Sequence, residues 1–125
     1  KPDERMLAAY DDAGGVTAAF NLNVLARINR ELGGNFNLSR FRHEARYDEA
    51  RQRIEMHLRS TADQIVSINE RLRVALKKDE TIWTESSYKF RPEQLALMAK
   101  RAGFDLQFQW IDAEWPFAQN VLRSY

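Results

Sequence analysis

Trp83, Glu85 and Ser87 stand at alternate positions in residues 81–104, TIWTESSYKFRPEQLALMAKRAGF. If residues 81–87 are extended, the period-two alternation of side chains sends all three to one face. That face offers a flat apolar wall, a carboxylate acceptor and a hydroxyl that donates or accepts. Such a set suits a small ring with two polar atoms. A strand end with a solvated carboxylate has the same pattern, since charged side chains are mostly exposed. Other chemistry is scarce. No Ser/His/Asp arrangement is legible, and His43 and His57 lack partners at metal-ligand spacing, so both read as surface or strand histidines. With no cysteine there is no disulfide framework and no thiolate metal site.

The stretch that holds these residues begins like a strand, with β-formers at Ile82 and Trp83. It ends like a helix, opened by Pro92 and closed by Gly103. Upstream, residues 3–10 read as a short helix with Asp3 as cap and Leu7 facing inward. Asp11, Asp12, Gly14 and Gly15 then break the pattern. Residues 16–32 carry a long helical signal, with Phe20, Val24, Leu25, Ile28 and Leu32 as the expected inward stripe. Gly33 and Gly34 supply its stop. Residues 37–41 start a second short helix capped by Asn37 or Ser39.

After His43 the period changes from helical to two. Residues 53–59 alternate polar and apolar strictly, as a half-buried strand does. Residues 64–68 form a short β-rich run, and Leu72, Val74 and Leu76 share one side of the next. With connections only a few residues long, the expectation is an antiparallel meander running into the Thr81 strand, with Tyr47 beginning a further strand. Residues 92–102 are amphipathic through Leu95, Met98 and Ala99. Leu106, Phe108 and Trp110 then alternate against Gln107 and Gln109, and residues 117–125 return as the partner strand.

The chain has 125 residues, enough for one modest domain, and 44% apolar with 30% charged residues marks a globular and not a disordered protein. Nineteen basic against eighteen acidic residues give a net charge of +1. That is no footprint for nucleic acid, which calls for a clustered basic excess. No apolar run approaches the ~20 residues that span a bilayer, and no signal peptide is visible. A cytoplasmic setting fits. The chain opens on KPDERM and not on an initiator Met, the expectation for an excised, tag-cleaved or processed piece.

Two blocks, TESSYKF followed by RPEQL and the earlier YDDAGGVTAAFNLNVLARINRELG, resemble the histidine-specific Nα-methyltransferase family, from about Tyr10 through Tyr125. The resemblance implies an S-adenosylmethionine-dependent enzyme that makes hercynine, the trimethylated histidine betaine, for ergothioneine biosynthesis. It implies L-histidine as the partner, with no nucleic acid and no membrane. By resemblance Glu85 and Ser87 match the pair that reads the imidazole, and Tyr10 a tyrosine that helps hold the α-carboxylate. Phe20 and Met56 match apolar walls of the substrate pocket, although core packing accounts for both equally.

The resemblance covers only the C-terminal portion of such an enzyme. A class I methyltransferase binds its cofactor on a glycine-rich turn after the first strand of a parallel sheet, and no such unit is legible. Gly14-Gly15 follows Asp11-Asp12 and no strand. The expected fold class is therefore α+β: N-terminal helices packed on an antiparallel sheet, followed by the terminal helix and β-hairpin of a class I methyltransferase fold. Residues 1–88 form the substrate-recognition region and residues 89–125 the terminal helix and strand pair. No catalytic, cofactor-binding or metal residue is expected in this chain, and the upstream half of the same enzyme is its expected partner. Two alternatives stand beside this reading: a non-catalytic binding module derived from that fold, and a family relative that methylates another amino acid.

Overall fold

Asp12 starts the longest helix of the chain. In the computed structural model, which describes residues 4–125, its carboxylate accepts from the backbone N–H groups of Val16 at 3.0 Å and Thr17 at 2.9 Å. Those donors have no partner inside the helix, so a carboxylate there both satisfies them and meets the positive end of the helix dipole. The hydrogen bonds hold Asp12 well below the usual carboxylate range, at about 2. Helix α2, Val16–Leu32, follows, and it stops at Gly33 (φ 65°), whose N–H returns to the Ile28 carbonyl. The preceding helix α1 is Glu4–Ala8. The expected cap Asp3 lies outside the described residues.

The face that α2 buries differs from the expected stripe. Asn21 and Leu25 are buried, with Leu22 packed beside them, whereas Phe20, Val24 and Leu32 are exposed. Successive helical residues are rotated by about 100°. Phe20 and Val24 each precede a buried residue by one position, so they turn away from the sheet. After α2, Asn37 caps a single 3-10 turn, Leu38–Arg40, by accepting from the Ser39 N–H.

Strands β1 (Phe41–Asp48), β2 (Arg53–Ser60), β3 (Gln64–Ile68), β4 (Leu72–Leu76) and β5 (Thr81–Tyr88) follow. They do not form the expected meander. Instead β1, β2 and β5 make a three-stranded antiparallel sheet in that order, and β3 and β4 make a separate hairpin between β2 and β5 in sequence. The reason lies at the hairpin base. The Ser60 N–H donates to the Glu80 carbonyl and the Asp79 N–H to the Ser60 carbonyl, both at 2.8 Å, which closes β2 onto the start of β5. The hairpin is left to contribute side chains to the core. Val66 and Leu76 join Leu25, Phe41 and Leu58 in one buried cluster, with Phe36 edge-on to Phe41.

The β2–β5 register carries one irregularity. Met56 faces Glu85 and His57 faces Trp83, so Thr84 is an extra residue, a β-bulge. The Thr84 hydroxyl donates to the Met56 carbonyl at 3.0 Å and pins it.

The chain divides into two compact units, Lys1–Tyr88 and Lys89–Tyr125. The second contains helix α3 (Pro92–Arg101) and the antiparallel strands β6 (Phe104–Ile111) and β7 (Ala118–Ser124). Pro92 opens α3, and the Gln94 side chain accepts from the Arg91 N–H at 2.7 Å. Gly103 (φ 86°) turns the chain into β6 in the left-handed region that favours glycine. A second bulge, at Gln107, corrects the expected alternation: Leu106 faces Leu122 while Phe108 faces Val121. Leu106 is therefore half-buried, while Phe108 and Trp110 are exposed and stacked on each other. No helix of the described residues is long and apolar enough to cross a membrane.

Candidate functional site

Residues directly opposite in an antiparallel pair point to the same face, so the register sorts the sheet. One face carries His43, Ala45 and Tyr47 of β1, Ile54, Met56 and Leu58 of β2, and Ile82, Glu85 and Ser87 of β5. Helix α2 packs there: the Asn21 side chain reaches both His43 and the His57 carbonyl. Tyr10, just after α1, comes to the same face and places its hydroxyl 2.8 Å from Ser87 Oγ.

Glu85 and Ser87 thus share a face with Tyr10, on one strand, with Met56 opposite Glu85 and Ile54 opposite Ser87. Glu85 is exposed and Ser87 half-buried. Met56, opposite Glu85, is only 4% exposed. Phe20 is different: at 66% exposure on α2 it takes no part in the core, so core packing does not account for it. Trp83 leaves the group altogether. The bulge at Thr84 sends its ring to the other face of the sheet, which corrects the expected common face for Trp83, Glu85 and Ser87.

On that other face Trp83 stacks on His57 with ring centroids 6.0 Å apart, and the Arg53 guanidinium lies 4.5 Å from its centre. Arg53 donates to Glu55 at 2.8 Å and to the Tyr88 hydroxyl at 2.8 Å, and His57 Nε2 lies 2.9 Å from Glu55. The hydrogen bond with His57, and then those with Arg53, hold Glu55 below the usual carboxylate range. Glu44 is also lowered: burial pushes it up, but bonds from Arg59 and Arg46 outweigh that. Glu55 with Arg53 and His57, and Glu44 with Arg46 and Arg59, thus form ion pairs within this face. His57 and His43 are strand histidines, but both are buried and not at the surface.

Among the described residues no three His, Asp or Glu side chains come together as metal ligands. Nor does any glycine-rich turn join a parallel strand to a helix, since every pairing is antiparallel. The arrangement presents a carboxylate acceptor and two hydroxyls on one face, with the buried Met56 opposite Glu85.

Sequence reasoning missed Asn21 and His43. His43 Nε2 is 2.6 Å from the Tyr10 carbonyl, and its Nδ1 is 3.0 Å from Asn21 Nδ2. Asn21 had a signal, since a polar residue four before Leu25 lies on the same helical face. His43 had none, because its partners come from residues 22 and 33 positions away.

The sequence family described as histidine-specific methyltransferase, SAM-dependent, matches residues 1–124. The chain is 43% identical over 122 residues to the histidine N-alpha-methyltransferase of Mycolicibacterium smegmatis, covering 97% of this chain and 38% of that protein. The histidine N-alpha-methyltransferase of Mycobacterium tuberculosis is likewise 43% identical over 122 residues, with 97% and 38% covered. The chain therefore spans well under half the length of these relatives.

Proposed function

We propose that this chain, which belongs to the SAM-dependent histidine-specific methyltransferase family, forms the histidine-binding portion of an enzyme that methylates the α-amino group of L-histidine. The product is the trimethylated betaine hercynine, an ergothioneine precursor. The observation that carries the reading is the placement of Glu85 and Ser87 on one face of β5 with the Tyr10 hydroxyl 2.8 Å from Ser87. The Glu85 carboxylate accepts the imidazole N–H, and the Ser87 hydroxyl satisfies the other ring nitrogen. In the complex the Ser87 proton goes to the imidazole, and the Tyr10 phenol turns its single proton from Ser87 to the α-carboxylate, with Met56 and Phe20 as apolar walls. Residues 1–88 are the recognition region, and residues 89–125 contribute the terminal helix and hairpin of the methyltransferase fold.

S-Adenosylmethionine supplies the methyl group, and the residues present here do not fit it, because no cofactor turn occurs among them. Its site belongs to the remainder of the whole protein. Within this chain the chemistry is recognition: a site that hydrogen-bonds both ring nitrogens rejects analogues that leave those groups unpaired.

The test is kinetic, in the full-length enzyme. Loss of a charge-assisted bond costs about 1.5–3 kcal/mol, so Glu85→Ala lowers kcat/KM for histidine roughly tenfold to a hundredfold. Ser87→Ala costs less, about 0.5–1.5 kcal/mol. The KM for the cofactor stays put in both. If Glu85→Ala keeps wild-type efficiency and selectivity against phenylalanine and tryptophan, Glu85 is only a solvated strand residue.

A further inference from the structure

We infer that Asn21 and His43 are positioning residues for Tyr10, and through it for the carboxylate end of the substrate; the functional part of this inference rests on the histidine-binding reading above. The geometry fixes every proton of the connection. Asn21, 1% exposed, has its Nδ2 3.2 Å from the His57 carbonyl, which only accepts. That contact orients the amide, so the same Nδ2 presents a donor to His43 Nδ1 at 3.0 Å. Nδ1 must then be the bare nitrogen, and the ring proton sits on Nε2. There it donates to the Tyr10 carbonyl at 2.6 Å, again a group that only accepts. The Asp11 carboxylate lies farther from Nε2, at 4.0 Å, and is largely exposed.

Each alternative assignment breaks a bond. A flipped Asn21 sets its oxygen against the His57 carbonyl, and the other histidine tautomer sets an N–H against an amide N–H while its bare Nε2 faces a carbonyl. The connection therefore has one direction, from α2 through β1 to the backbone of Tyr10, whose hydroxyl lies 2.8 Å from Ser87 on β5. Tyr10 follows a helix of five residues, Glu4–Ala8, and precedes the turn that Asp12 closes. Its carbonyl is a point at which β1 holds the backbone of that connection. A substrate-binding side chain on a loop needs such support, because displacement by an ångström is enough to lose its contact.

The experiment uses the full-length enzyme and the variants Asn21→Asp, His43→Ala, His43→Gln and Tyr10→Phe. Asn21→Asp keeps the shape and removes the donor, so it reports even if the cavity of His43→Ala prevents folding. We expect Asn21→Asp and His43→Ala to raise the KM for histidine about tenfold, as loss of the Tyr10 hydrogen bond does, and to leave the KM for S-adenosylmethionine unchanged. His43→Gln, which retains an acceptor and a donor, recovers most of the loss. In a Tyr10→Phe background neither Asn21→Asp nor His43→Ala adds to the effect, because the hydroxyl they position is gone. Additive losses there, or losses shared with the cofactor KM, overturn the assignment and leave the pair purely structural. If the wild type does not methylate histidine, the functional reading fails by itself. The positioning claim is then decided by the crystal structure of Asn21→Asp: separation of the Tyr10 and Ser87 oxygens beyond hydrogen-bond range supports it, and an unmoved pair overturns it.

Discussion

Trp83 and Glu85 are two residues apart on one strand, yet their side chains leave it on opposite faces, because Thr84 is an extra residue between their partners His57 and Met56. The Trp83 indole N–H still donates to the Glu85 carbonyl at 3.1 Å, so the two remain tied through the backbone. The bulge gives the strand two uses. Its outer side supplies an aromatic lid over Arg53 and His57, and its inner side supplies the polar groups next to Tyr10.

Trp83, on the face of His57 and Arg53, is expected to act on stability and not as a substrate wall. Trp83→Ala loses the stacking on His57 and the cation–π contact with Arg53, a cost of about 1–2 kcal/mol. In the full-length enzyme its KM for histidine stays within about twofold of wild type. Urea unfolding and steady-state kinetics check the two halves of this prediction. A large rise in KM with unchanged stability places Trp83 in the site after all.

Asp12 makes stability depend on pH in a defined window. Its pKa is lowered from 3.8 to about 2, first by the hydrogen bonds from Thr17 and then by that from Val16. A depressed carboxylate contributes fully above its unfolded value, and the contribution is lost as pH falls through the folded one. The difference in Tm between wild type and Asp12→Ala should be constant above about pH 5 and shrink between pH 4 and pH 2. Thermal melts across that range measure it, and a gap that persists unchanged at pH 2 rules out the carboxylate as the cap.

Local signals were legible and long-range ones were not. The bounds of α2 follow from its apolar period and Gly33, and β2 and β4 follow from alternation, because these depend on neighbours in sequence; β1, expected to begin at Tyr47, instead starts at Phe41 and has Tyr47 near its end. Which side of α2 faces the sheet is not set by such neighbours. The helix carries apolar residues at Phe20 and Val24 as well as at Leu25, and only the packing of Leu25 on Phe41 and Leu58 decides between them. The meander failed for the same reason, since the pairing of β2 with β5 rests on the contacts of Ser60 with Asp79 and Glu80. Neither bulge has a glycine to mark it: Thr84 and Gln107 are ordinary strand residues, so strict alternation was the natural reading. At the candidate site, Glu85 and Ser87 stood out by type and spacing. Their link to Tyr10, 77 residues away from Ser87, was accessible only through the family resemblance.

The buried side of α2 can be separated from its exposed side by mutation. Leu25 is 1% exposed and touches the central cluster, so Leu25→Ala should cost about 2–5 kcal/mol. Val24, one position away and exposed, should change stability by about 0.5 kcal/mol when replaced by alanine. The check is the shift of the urea midpoint at constant slope. Equal costs at the two positions mean that α2 buries both sides in this chain.

The last prediction concerns what this chain binds without the rest of the enzyme. The first unit contains Tyr10, Ser87, Glu85 and the Asn21–His43 support within itself. The groups proposed to recognise imidazole are therefore in place. On the proposed reading the remaining walls of the site and the contacts to the amine belong to the rest of the enzyme, so the expected affinity is weak; a dissociation constant near 1 mM corresponds to only about 4 kcal/mol. In two-dimensional NMR titrations, histidine and imidazole should shift the amide signals around Glu85 and Ser87, and the Glu85→Ala variant should abolish the response. S-Adenosylmethionine should produce no comparable shifts, since every strand pairing among the described residues is antiparallel and no glycine-rich turn there joins a parallel strand to a helix. Micromolar binding of S-adenosylmethionine to this chain alone, by calorimetry, sinks the assignment of the cofactor to residues beyond it. Histidine-induced shifts that survive in Glu85→Ala move the recognition site away from β5.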